Sequence, residues 1–120
     1  MAVEMSNDLG RIDISDEVIA TIAGGAALEC YGLVGMASRS QLKDGISELL
    51  GRENLSKGIE VRTGENGIEL ELYIIVGYGT KISEVAHNVQ TKVKYALHQA
   101  LGLDVTTVNI FVQGVRLTND

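Results

Sequence analysis

The side chains with specific chemistry are few: His87 and His98, a single Cys30, the acids Glu69 and Glu71, and the turn Val76-Gly77-Tyr78-Gly79-Thr80-Lys81. The histidines invite a metal-ligand reading, but eleven residues on one expected helix put them roughly 16 Å apart at the helical rise per residue. They cannot hold one ion together. No second cysteine and no nearby carboxylate and histidine pair at i,i+4 completes a ligand set, so no metal or cofactor is expected. A solvated helix face shared with Thr91 and Lys94 is the plainer reading.

Cys30 falls on the apolar stripe of its helix, where a cysteine behaves as a small hydrophobe rather than a nucleophile. No serine occupies a nucleophile elbow, because Gly45-Ile46-Ser47-Glu48-Leu49 lacks the second glycine and lies in a helical pattern. Glu69 and Glu71 look like paired acids on a strand, yet Arg62 is expected opposite Glu71 and makes a surface ion pair the simpler account. Gly77, Gly79, Thr80 and Lys81 lie between a strand and a helix, where backbone N–H groups and the helix dipole suit a phosphate or carboxylate. A dinucleotide fingerprint needs a third glycine where Ile82 stands, and a P-loop needs a lysine followed by Ser or Thr. A structural turn competes with the anion site. No constellation supports catalysis, so the residues point to a binding or assembly protein and not an enzyme.

The elements that would position these groups are legible from periodicity. Gly10 to Ile14 reads as a strand, followed by a helix start at Ser15, whose oxygen can cap it, with Asp16 and Glu17 opposing the positive end of the dipole. Ile19, Ile22, Ala23, Ala26, Ala27 and Cys30 form its buried stripe. Gly24 and Gly25 in that helix suggest close approach of another element, and Gly32 is placed for a left-handed turn. Leu33 to Ala37 follows as a strand. Leu42, Ile46, Leu49 and Leu50 give a short helix, and Ser38 to Lys57 is the stretch most suited to mobility or partner contact.

Asn66-Gly67 between alternating segments signals a two-residue hairpin turn. With Glu65 opposite Ile68, Thr63 would meet Leu70, Val61 would meet Leu72 and Ile59 would meet Ile74. On the other face Arg62 would meet Glu71, and Glu60 would meet Tyr73. A long helix then runs from a Thr80 cap through Ile82, Val85, Val89, Val93 and Leu97 to Gly102. A last strand spans Val105 to Gln113 with Val108, Ile110 and Val112 inward. The expected class is α+β: two main helices and one short helix on a mixed sheet, in the order β-α-β-α-β-β-α-β. Residues 1–9 are expected as a flexible lead-in, 10–114 as one domain and 115–120 as a polar tail. Tyr73, Ile75 and Phe111 face away from the core stripe. If both main helices cover the other face, these three form an apolar patch for self-association or a partner; otherwise one helix covers them.

Bulk properties narrow the partners. The net charge of -6, with ten scattered basic residues, disfavours nucleic acid and anionic lipid surfaces. No run approaches the roughly 20 apolar residues of a membrane span, and Met1 to Leu9 lacks signal-peptide character. A cytoplasmic protein is expected, in keeping with a lone cysteine.

As a set, the segments Gly10-Arg11-Ile12-Asp13-Ile14-Ser15-Asp16-Glu17-Val18-Ile19-Ala20, Ile22-Ala23-Gly24-Gly25-Ala26-Ala27, Gly32-Leu33-Val34-Gly35-Met36, Tyr73-Ile74-Ile75-Val76-Gly77-Tyr78-Gly79, Val89-Gln90 and Val108-Asn109-Ile110-Phe111-Val112-Gln113-Gly114 resemble the bacterial alkaline shock protein family, in particular its small soluble YloU-type members. The resemblance implies a non-enzymatic cytoplasmic protein of Gram-positive bacteria connected with envelope stress. Some relatives assemble near the membrane through a membrane-anchored partner, and others are linked to fatty-acid metabolism. It therefore implies a scaffold or partner-binding role, with a sensor of an acyl or phosphorylated metabolite as the alternative. It brings no catalytic residues.

Overall fold

One long strand organises the computed structural model, which describes residues 2–38, 52–64 and 67–117. The elements run β1 (Ala2–Asn7), β2 (Gly10–Ser15), α1 (Asp16–Leu28), β3 (Leu33–Met36), a 3₁₀ helix (Arg52–Gly58), β4 (Ile59–Gly64), β5 (Gly67–Gly77), α2 (Ile82–Leu101) and β6 (Val105–Arg116). Along one side β5 pairs antiparallel with β4 and then with β3; along the other it pairs parallel with β6. The class is α+β with a mixed sheet. The short helix expected over Leu42 to Leu50 lies outside the described residues.

Alternation along β5 explains its central place. Ile68, Leu70, Leu72, Ile74 and Val76 all join one core cluster, together with Ile19, Ala23 and Ala27 of α1 and Val85, Val89, Val93 and Leu97 of α2. Both helices therefore cover the same face of the sheet, the first of the two expected arrangements. A strand with one buried and one open face reads as apolar-polar alternation, and Glu69 and Glu71 supply the polar half.

Local chemistry sets the boundaries. Ser15 Oγ accepts the Val18 N–H at 3.3 Å, fixing the start of α1. Gly24 is approached as its position suggested: a Cβ there would stand 3.1 Å from Leu55 Cβ of the 3₁₀ helix, whereas a Cβ at Gly25 meets nothing within 4 Å. Gly32 has φ of +90° and leaves no room for a side chain, since a Cβ would lie 2.7 Å from Val85 Cγ2. At the far end of α2, Gly102 at φ +69° donates its N–H to the His98 carbonyl at 2.9 Å, and the Leu103 N–H reaches the Leu97 carbonyl at 3.4 Å.

Four expectations are corrected. Within residues 1–9, expected to be flexible, Ala2–Asn7 forms β1, a hairpin with β2 in which Val3 stands opposite Ile14 and Met5 opposite Ile12. The Asn7 side chain closes its turn by accepting the N–H groups of Leu9 and Gly10 at 2.8 and 3.1 Å, a role that local spacing does not reveal. The β4–β5 register is shifted by two: Gly64 pairs with Gly67, Thr63 with Ile68, Val61 with Leu70 and Ile59 with Leu72. Gly67 is the first residue of β5, where its φ of +104° favours glycine and a Cβ would also lie 2.8 Å from Thr106 Cγ2 on β6. A shift of two keeps every side chain on its face.

Thr80 does not cap α2. Its hydroxyl donates to the Gly77 carbonyl at 2.7 Å, and the cap position falls on Lys81 without a side-chain bond. Finally, β6 continues past Gly114, pairing Val115 with Val76 and Arg116 with Gly77, so two residues assigned to the tail belong to the sheet.

Candidate functional site

On the face of the sheet turned away from the two main helices, β5 places Glu69, Glu71, Tyr73 and Ile75, flanked by Glu60 and Arg62 of β4 and by Asn109 and Phe111 of β6. The parallel register sets Tyr73 beside Phe111, and their rings stack with centroids 5.0 Å apart and planes at 16°. Phe111 remains 38% exposed, but Ile75 is fully buried. The sequence-predicted trio therefore reduces at the surface to an aromatic pair. Ile75 contributes no accessible area.

Polar groups rim this pair in a connected chain. Glu60 Oε2 meets Arg62 at 3.2 Å, Arg62 meets Glu71 Oε2 at 3.4 Å, and the Tyr73 hydroxyl donates to Glu71 Oε1 at 3.3 Å. The expected Arg62–Glu71 ion pair exists, made diagonally across the shifted register instead of directly. Asn109 donates to Glu69 Oε1 at 3.3 Å. Partial burial, reinforced by the Glu71 carboxylate, pushes the Tyr73 phenol above the usual tyrosine value. The hydrogen bond to Glu60 raises the Arg62 guanidinium further still. Glu69 and Glu71 are thus engaged with hydrogen-bond donors and a cation, not held as a catalytic acid pair.

The second candidate, the turn from Gly77 to Lys81, is turned inward. Both the N–H and the hydroxyl of Thr80 point to the Gly77 carbonyl, at 3.4 and 2.7 Å, and the Gly77 N–H donates to Gly32 at 2.9 Å. These donors knit β3, β5 and α2 together and are not directed at a ligand. Gly79 and Lys81 are exposed beside them. Burial raises the Cys30 thiol above its ordinary value, partly offset by Lys92, so the nucleophilic thiolate is disfavoured. His98 Nδ1 contacts Asp104 at 3.0 Å. Among the described residues no three His, Cys, Asp or Glu side chains converge as ligands.

A groove of about 570 Å³ between the end of α1 and the middle of α2 is lined by Tyr31, His87, Asn88 and Tyr95. It is spanned by the Lys92–Glu29 ion pair at 3.2 Å. Its signal in the sequence is slight: Tyr31 follows the helix end and Tyr95 lies off the apolar stripe.

Residues 4–117 match the alkaline shock protein 23 family, described as having a cell envelope-related function. The chain is 61% identical over 119 residues to the uncharacterized protein YloU of Bacillus subtilis (strain 168), covering 99% of each. It is 43% identical over 120 residues to the uncharacterized protein Spy1614 of a Streptococcus pyogenes serotype M6 strain, covering 100% of this chain and 99% of that one. A Streptococcus pyogenes stress response regulator gls24 homolog is 26% identical over 109 residues, which is 89% of this chain and 59% of the longer protein. No solved structure matches the chain.

Proposed function

The chain belongs to the alkaline shock protein 23 family, whose function is described as cell envelope-related, and from that membership we propose that it is a non-catalytic scaffold that docks a protein through the outer face of its mixed sheet. The Tyr73–Phe111 stack carries this reading. Aromatic rings rimmed by polar side chains, on a face neither main helix covers, have the make-up of an interface centre. Support for a non-catalytic role comes from the groups that could react: the Cys30 thiol is held protonated, and the hydroxyl of Thr80 is spent on a carbonyl. The alternative, a sensor of an acyl or phosphorylated metabolite at Gly77 to Lys81, has less to stand on because the Gly77 and Thr80 donors of that turn face inward.

The stress-regulator name of the gls24 relatives favours a role in envelope stress. No described helix is long and apolar enough to cross a membrane. We place the protein in the cytoplasm, reaching the membrane through its partner. Affinity purification from its native cell, with Phe111→Asp beside the natural chain, tests the reading. Proteins that co-purify with the natural chain should be lost with the variant while cooperative thermal unfolding is kept. Recovery of the same proteins by both would overturn it.

A further inference from the structure

The charge on the outer face narrows what can dock there. Around the Tyr73–Phe111 stack stand the acids Glu60, Glu69 and Glu71 and the cation Arg62, an excess of two negative charges on a chain already at -6. Arg116, the next cation along this face, pairs with Gly77 beyond the buried Ile75. Arg62 is committed on the β4 side, between Glu60 at 3.2 Å and Glu71 at 3.4 Å. On the β6 side the acids meet neutral groups: Glu69 takes the Asn109 amide at 3.3 Å, and among the described residues no cation lies within ion-pair distance of it. The Glu71 side chain is only 12% exposed, so solvent screens its charge less than that of an ordinary surface acid.

Resting on the docking reading above, we propose that the partner presents an extended, arginine-bearing segment, with basic residues at alternate positions, seated along β5 over Phe111, Tyr73, Glu71 and Glu69. Charge selects this chemistry, because a second copy of this chain, a nucleic acid or a phosphorylated protein would bring negative charge to a negative patch. The aromatic pair selects arginine: a flat guanidinium stacks on a ring and donates to a neighbouring carboxylate at once, whereas an ammonium is held more tightly by water. Spacing selects the extended form. Glu69, Glu71 and Tyr73 are alternate residues of one strand, about 7 Å apart at each step, the interval between alternate side chains of any extended segment laid along them. One guanidinium then covers Phe111 with Glu71 on its flank, and a later cation meets Glu69. The complete burial of Ile75 closes the track at its other end.

Fluorescence anisotropy with labelled synthetic peptides, in which threonine alternates with arginine, with lysine or with glutamate, tests the proposal. The arginine peptide should bind, more weakly as salt is raised, the lysine peptide roughly threefold or more less tightly, and the glutamate peptide not at all. Glu69→Gln, which keeps an acceptor for Asn109, and Phe111→Leu should each weaken the arginine peptide roughly threefold, with melting followed in parallel. Glu84→Gln removes an equal charge from the first turn of α2 and should leave binding unchanged. An arginine peptide that does not bind overturns the proposal, as does a lysine or glutamate peptide that binds as tightly. Equal losses from Glu69→Gln and Glu84→Gln would reduce the effect to net charge and overturn it too. If the arginine peptide fails to bind while Phe111→Asp still loses its co-purifying proteins, the docking reading stands and this partner chemistry alone fails.

Discussion

Tyr73 sits where titration and packing meet. Its folded pKa lies above the ordinary tyrosine value, so the folded state holds the phenolic proton more tightly than the unfolded chain does. Stability from this residue is present in full below about pH 10, the usual tyrosine value, and falls as pH climbs from there through the raised folded value. Replacing Tyr73 by Phe keeps the stack on Phe111 and removes the proton. Denaturant melts between about pH 9 and 11, bracketing that value, should show a shallower alkaline loss in the variant than in the natural chain; equal slopes would assign the loss to other groups. The facing of Tyr73 and Phe111 is legible in the sequence because strand alternation alone sets it. The complete burial of Ile75 is not, since alternation says which face a residue occupies and nothing about what lies over it.

At the scale of elements, paired glycines in α1 offer a direct comparison. Gly25 has open space where a Cβ would stand, so Gly25→Ala should stabilise by about 0.5–1 kcal/mol, the helix-propensity difference. Gly24→Ala gains the same propensity but presses on Leu55 Cβ at 3.1 Å, next to the backbone of the 3₁₀ helix, which cannot rotate away. It should be destabilising by about 1 kcal/mol or more. Equal effects in urea unfolding would contradict the packing of α1 on that helix. The hairpin shows how element reading succeeds and fails together. Apolar alternation sets the faces of β4 and β5, while the register slips by two because Gly67, which has the local marks of a turn residue and the positive φ to match, already pairs with Gly64 as the first residue of β5. The closeness of Thr106 to that glycine is a long-range fact, invisible in local spacing. The β1–β2 hairpin escapes sequence reading for a different reason: its turn is closed by the Asn7 side chain, with no Asn-Gly pair to announce it.

At the scale of the molecule, two helices on one face leave the opposite face of the sheet to meet whatever the protein assembles with. The layer order follows from the sequence as far as class; which face stays open depends on both helices packing on the same side, which periodicity within each helix cannot fix. The molecule is also elongated, 54 × 29 × 25 Å, with β1 and β2 forming a sheet of their own. The central claim, that the outer sheet face is where a protein docks, is tested most directly by photo-crosslinking in the native cell. A benzophenone amino acid would replace Phe111 in one strain and Lys94, on the solvent side of α2, in another. The account predicts discrete protein adducts from position 111 and none from position 94. Adducts from position 94 alone, or from neither position, would contradict it.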